Sequence, residues 1–133
     1  MKSTNRLLIN LFSTFMMFAQ SASLGQTLNA DFSRVQPDTF GANMALSNAW
    51  GDYDNDGDLD LVVAFKDGDV RLYNNEFGGF TNVGPALGLP TDGKERRAIA
   101  WGDFDGDGYL DLYVGSNRQG NELFRNNKSQ GFT

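Results

Sequence analysis

One stretch of this chain is written twice, 51 residues apart, with aspartates at the same odd spacings in both copies. The first copy runs Trp50-Gly51-Asp52-Tyr53-Asp54-Asn55-Asp56-Gly57-Asp58-Leu59-Asp60-Leu61-Val62-Val63. The second runs Trp101-Gly102-Asp103-Phe104-Asp105-Gly106-Asp107-Gly108-Tyr109-Leu110-Asp111-Leu112-Tyr113-Val114. A repeat of this period means stacked supersecondary units, because one unit alone cannot bury its own apolar face. The repeated acidic spacing also supplies hard oxygen ligands, so it states a chemistry together with an architecture.

Each unit has the same order of parts. A short apolar segment (Asn43 to Trp50; Arg97 to Trp101) leads into the acidic loop, and a strand-like run leaves it (Leu59 to Phe65; Leu110 to Gly115). Lys66-Asp67-Gly68-Asp69 is a hairpin signal, since Asp-Gly accepts the positive φ that such turns need. A further run, Val70 to Asn74, matches Glu122 to Asn126, and Phe80-Thr81-Asn82-Val83 matches Phe132-Thr133. That predicts about four short strands per unit. The run after each loop is apolar on both sides: Leu59, Leu61, Val63 and Phe65 on one, Val62 and Ala64 on the other. A sheet covered on both faces fits a propeller blade between neighbours, while a β-sandwich strand is the plainer alternative.

The expected fold class is therefore all-β, a partial β-propeller of about two four-stranded blades with metal-binding loops. Residues 45–84 form the first blade and 85–133 the second, cut short in its last strand. Residues 24–44 read as a linker plus an orphan outer strand, because Phe32-Ser33-Arg34-Val35 resembles Phe80-Thr81-Asn82-Val83. Propellers close with roughly four to eight blades, so the chain is expected to be an N-terminal piece of a longer protein.

In each loop, positions 1, 3, 5 and 9 are aspartates: Asp52, Asp54, Asp56 and Asp60, then Asp103, Asp105, Asp107 and Asp111. Glycine at position 6 (Gly57, Gly108) permits the bend, and the carbonyls of Asp58 and Tyr109 at position 7 offer a further oxygen. With no His or Cys in the chain, zinc and copper do not suit these sites. Two Ca²⁺ sites are expected, since Ca²⁺ takes six to eight oxygens in flexible geometry and Mg²⁺ demands a tight octahedron. An EF-hand is excluded, because it needs a bidentate Glu at position 12 and that place holds Val63 or Val114. A solvated acidic turn that binds nothing is the alternative for a single copy, and its repetition argues against it.

Met1 to about Ser23 reads as a secretory signal, with Lys2 and Arg6 before the apolar Leu7 to Ala19 and small residues beyond. That run is too short to span a bilayer; a retained anchor or a buried helix is the alternative. No cysteine follows it for a lipid anchor. A secreted, periplasmic or cell-surface protein is expected, without a membrane span. Loss of the leader leaves 9 basic residues against 17 acidic. Nucleic-acid binding rests on Lys and Arg neutralising phosphates, so nucleic acid is a poor partner.

With those residues in view, the stretch from Phe32 to Thr133 resembles the FG-GAP/VCBS repeat family, the blades of integrin α-subunit propellers and of many secreted bacterial proteins. The resemblance rests on the two Trp-Gly-Asp loops, on Leu72-Tyr73-Asn74-Asn75 with Leu123-Phe124-Arg125-Asn126-Asn127, and on Phe77-Gly78-Gly79-Phe80. It implies a seven-bladed ring with Ca²⁺ in some loops, and it says little about the ligand. The further domains and cysteines of integrin subunits are absent, so integrin function does not carry over.

The expected role is a calcium-stabilised module for protein or glycan binding, adhesion or scaffolding, partnered by further blades of the same chain. It is not expected to be an enzyme. The alternative is the N-terminal part of a propeller lyase or hydrolase whose active site lies in other blades. A paired-carboxylate site needs two acids free of metal duty, and Glu76, Glu95 and Glu122 are expected to be solvated and unpaired. Lys94-Glu95-Arg96-Arg97 is expected to be a solvated charged turn, and Trp50 and Trp101 to sit in the core between blades.

Overall fold

Turn chemistry and two-sided apolar runs place the strands. The computed structural model describes residues 32–40 and 44–133; the leader expected at Met1–Ser23 and linker positions 24–31 and 41–43 lie outside the described residues. In the first sheet, β1 (Ala45–Gly51), β2 (Asp60–Phe65), β3 (Val70–Glu76) and β4 (Gly79–Asn82) follow in sequence order. In the second, β5 (Arg96–Gly102), β6 (Asp111–Ser116) and β7 (Glu122–Phe124) do the same. All pairings are antiparallel, and the two sheets do not close into a ring. The shortened last strand of the second sheet survives as one rung. Arg125 and Thr133 exchange both main-chain bonds (2.7 and 3.0 Å) beside the Asn126–Phe132 bridge.

The hairpins form where expected. Gly68 has φ +97° and its N–H bonds to the Phe65 carbonyl at 3.1 Å, turning β2 into β3. Phe77 and Gly78 both have positive φ (53° and 85°) between β3 and β4. Two left-handed residues give the turn the twist that matches its flanking strands.

A core forms between the sheets from Val62, Val70 and Leu72 of the first and Leu112 and Val114 of the second. Tyr53, Leu89 and Phe132 join it from the connecting segments. Each such aliphatic side chain, once removed from water, contributes about 1.5–3 kcal/mol. The contact is close at the innermost strands, where Trp101 of β5 lies against Gly51 of β1. A Cβ added to Gly51 would stand 2.7 Å from the Trp101 ring.

The opposite face of the first sheet has its own cover. Gln36 leads into α1 (Pro37–Phe40), a single turn whose Phe40 ring lies 5.0 Å from Tyr73 and 5.3 Å from Phe80. The Gln36 side chain accepts from the Phe80 N–H (2.6 Å) and donates to the Phe80 carbonyl (3.4 Å). Val63, Phe65 and Tyr73 are thereby buried, so β2 is apolar and covered on both sides.

Phe32 and Val35 are exposed, and among the described residues no strand pairs with Phe32 to Val35. Three expectations change. Lys94 to Arg97 is not a solvated turn, because Arg96 is fully buried. Its guanidinium meets Asp92 (2.8 Å), Glu122 (2.8 Å) and the Gly68 carbonyl of the first sheet (3.0 Å), so its donors are satisfied away from water. Glu122 and Glu95 are accordingly not unpaired, since Glu95 also bonds Arg97. Finally, Trp101 packs on the core as expected, whereas Trp50 stays 53% exposed and meets Phe80 edge-on. Arg34–Thr133 forms one compact unit. No helix among the described residues is long and apolar enough to cross a membrane.

Candidate metal centres

Both acidic loops join the first strand of a sheet to the second, and both are curled by their own main chain. Asp52 accepts from the N–H groups of Asp56 and Gly57, both at 3.0 Å. Asp103 accepts from Gly106 (2.8 Å), Asp107 (3.1 Å) and Gly108 (2.9 Å). The curl needs left-handed residues at positions 4 and 6 of each loop. Asn55 (φ 61°) and Gly57 (95°) serve the first, Gly106 (74°) and Gly108 (88°) the second. Asn and Gly tolerate that region with little strain, which is why these types stand there.

The curl brings carboxylates together. One oxygen from each of Asp52, Asp54 and Asp56 falls within 4.8 Å of the others, and so does one from each of Asp103, Asp105 and Asp111. Two like charges at that separation repel by on the order of 3 kcal/mol at an intermediate dielectric. Burial, and next the Asp56 charge, push the Asp54 carboxyl above its ordinary range. Its Oδ1 is buried without a hydrogen-bond partner while Oδ2 accepts from Asn74 at 2.9 Å. An oxygen-only donor set with a buried orphan acceptor and crowded negative charge fits a hard divalent cation. The clusters could hold such an ion.

Position 9 has a second duty. Asp60 and Asp111 are fully buried, and each accepts two main-chain N–H bonds from opposite sides. Asp60 takes Tyr53 (3.1 Å) from its own loop and Asn75 (2.9 Å) from β3. Asp111 takes Phe104 (2.9 Å) and Asn126 (2.8 Å). These aspartates tie the loop to the third strand. Burial raises the Asp60 carboxyl to about 6, although both N–H donors pull the other way. A nearby cation would offset that desolvation cost.

The remaining predicted positions are placed as follows. Asp58 donates its N–H to Asp56 Oδ1 (2.8 Å), and its side chain accepts from Phe77 N–H at 3.3 Å. Tyr109 donates its N–H to Asp107 Oδ1 at 3.0 Å. Asp107 also faces Arg125, at 3.8 Å. The loops touch each other through Asn55, whose amide donates to the Gly108 carbonyl (3.0 Å). Asn126 adds a buried link from its amide to the carbonyls of Tyr53 (2.8 Å) and Leu110 (3.1 Å).

The FG-GAP-like repeat family matches residues 52–114. That stretch is similar to an FG-GAP-like repeat. The matched stretch starts at the first aspartate of one loop and ends in β6 beyond the other, so it spans both acidic loops and the hairpins of the first sheet. No curated protein and no solved structure gives a significant match.

Several residues that shape the loops were not singled out from sequence. Asn74 and Arg125 hold equal places in the two units and both contact a loop aspartate. Asn75 and Asn126 likewise both donate their N–H to position 9. Their signal is the alignment of Leu72-Tyr73-Asn74-Asn75 on Leu123-Phe124-Arg125-Asn126, which brings a third-strand residue opposite each loop.

Proposed function

We propose that this chain is part of a secreted β-propeller whose blades are fastened by Ca²⁺ and whose loops serve protein or glycan binding, adhesion or scaffolding. The observation that carries the reading is recurrence. Two loops of the same ligand spacing stand at the mouths of matching hairpins, and each draws three carboxylates to a common centre. One ion would take Asp52, Asp54, Asp56 and Asp60 with the carbonyl of Asp58. The other would take Asp103, Asp105, Asp107 and Asp111 with the carbonyl of Tyr109. Oxygen donors in a pliable loop suit Ca²⁺ better than Mg²⁺.

Further blades of a seven-bladed ring are supported by the far side of the second sheet. Tyr113 and Leu123 are exposed there, although the matching Val62 and Leu72 are fully buried. Gly102 has open space where the matching Gly51 receives Trp101. A further blade with the same Trp-Gly-Asp start would seat its Trp on Gly102. The role proposed is binding, not catalysis: the chain lacks His and Cys, and Glu95 and Glu122 are engaged by arginines.

Melting with and without calcium tests the metal. Calcium at ten times its dissociation constant adds about 1.4 kcal/mol per site, or several degrees in Tm for a domain of this size. Asp54→Asn and Asp105→Asn are each expected to lose part of that rise and to change little in EDTA. Identical melting of the unmodified protein in EDTA and in millimolar calcium removes the assignment. Calcium-dependent retention on immobilised glycan or protein ligands, abolished by EDTA, is the matching test of the binding role.

A further inference from the structure

The two loops share their ligand spacing but face different third-strand residues. Asn74 in the first unit is neutral, and its amide donates to Asp54 Oδ2 (2.9 Å) and to the Tyr53 hydroxyl (3.2 Å). Arg125, at the matching place in the second, puts Nη2 2.6 Å from Asp105 Oδ2 and 3.8 Å from Asp107 Oδ2. The gathered carboxylates differ accordingly. Position 5 joins positions 1 and 3 in the first loop; in the second, Asp107 is replaced in the trio by Asp111 at position 9.

We propose that Arg125 is a built-in counter-cation of the second loop and makes the two divalent-ion sites unequal, the first tight and the second weak. The inference rests on the metal reading of the loops. A guanidinium keeps its charge throughout the working pH range. An ion entering the second loop must therefore approach a positive charge and take Asp105 from a charge-assisted bond. Among the described residues nothing comparable opposes entry at the first loop, where Asn74 carries no charge and Asp54 Oδ1 is buried without a partner. Arg125 has a half-exposed side chain (52%) and can swing into water, which keeps the handicap moderate. An exposed pair of this kind corresponds to a difference of up to about fivefold in affinity.

The loops would then answer calcium at different concentrations. The first fills early, while the second stays charge-balanced by its own arginine until calcium is higher. Arg125 acts as a positioning residue that holds Asp105 and is not itself a metal ligand.

Calorimetric titration of the metal-free protein with Ca²⁺ alone tests this, using the unmodified chain, Arg125→Asn, Arg125→Lys and Asn74→Arg. Two affinity classes up to about fivefold apart are expected for the unmodified chain. Arg125→Asn should tighten the weak class toward the strong one, Arg125→Lys should leave it weak, and Asn74→Arg should weaken the strong class. Two equal classes in the unmodified chain, or a weak class untouched by Arg125→Asn, overturn the inference and leave the metal reading standing. Absence of calcium binding in all four proteins overturns both. Should Arg125→Asn fold poorly by circular dichroism, Asn74→Arg decides alone: a strong class it leaves unchanged overturns the inference.

Discussion

Among the described residues the first sheet is covered on both faces and the second on only one, although their sequences follow the same pattern. Val62 and Tyr113 stand at matching places, yet Val62 is fully buried and Tyr113 is 40% exposed. Leu72 and Leu123 repeat the contrast. The side of the first sheet that meets the second carries Val62, Val70 and Leu72, whereas the side of the second that meets the first carries Leu112 and Val114. Those last two match Leu61 and Val63, which lie on the other side of the first sheet. The interface therefore joins unlike faces, head to tail, as in any stack of repeats. Burial here is a property of position in the stack, not of the local sequence.

The largest expected effect breaks the bond between the sheets. Arg96 ties Asp92 and Glu122 to the Gly68 carbonyl of the first sheet, and its counterpart in the first unit is Ala45, which has no such task. Arg96→Ala is expected to cost about 3 kcal/mol, since it empties a fully buried site and leaves the Gly68 carbonyl without its donor. Ala45→Ser should stay within about 0.5 kcal/mol. Urea denaturation of both variants checks the pair, and an Arg96→Ala midpoint near the unmodified value would sink the claim.

The next effect sharpens the contrast at the matched glycines. Gly51→Ala would drive its methyl to 2.7 Å from Trp101 and 2.9 Å from Leu110, an overpacking worth about 1–3 kcal/mol. Gly102→Ala enters open space and should change stability by less than about 0.5 kcal/mol. Equal costs in thermal melts would mean that the second sheet is covered after all.

The smallest effect concerns acid. The Arg96 guanidinium, bonded to Asp92, holds that carboxyl far below its ordinary value of 3.8. A depressed carboxylate contributes stability that is present above its unfolded value and lost as pH falls through the folded one. Stability attributable to this pair should thus be full above about pH 4 and decline below it. Melting between pH 5 and 2 should show a flatter acid limb for Asp92→Asn than for the unmodified chain.

Strands, hairpins and loop positions were legible because repetition lets each unit confirm the other: Asp67-Gly68 and the glycines at position 6 do what their φ values require. The family match over residues 52–114 agrees with that reading. What stayed hidden depends on contacts between distant segments. Arg96 looks like a solvated charge until Asp92, Glu122 and a carbonyl from the other sheet converge on it. Phe32–Val35 is like β4 in its side chains, but a strand also requires a partner ladder, and the described residues hold none for it. The double duty of Asp60 and Asp111 was invisible because their partners are main-chain N–H groups, which every residue but proline possesses. Arg125 was in plain view as a charged mismatch with Asn74 between aligned units, and its weight appears only once Asp105 lies beside it.

Phe40 and Gln36 give the molecule polarity. One flank is already stoppered by the chain's own aromatic plug, with a cavity of about 340 Å³ between that plug, Trp50 and β2. Among the described residues nothing covers the other flank. A neighbour can settle on the bare flank without displacing anything, but on the stoppered one it must dislodge the plug or fit around it. Growth of such an assembly is easier in one direction than in the other.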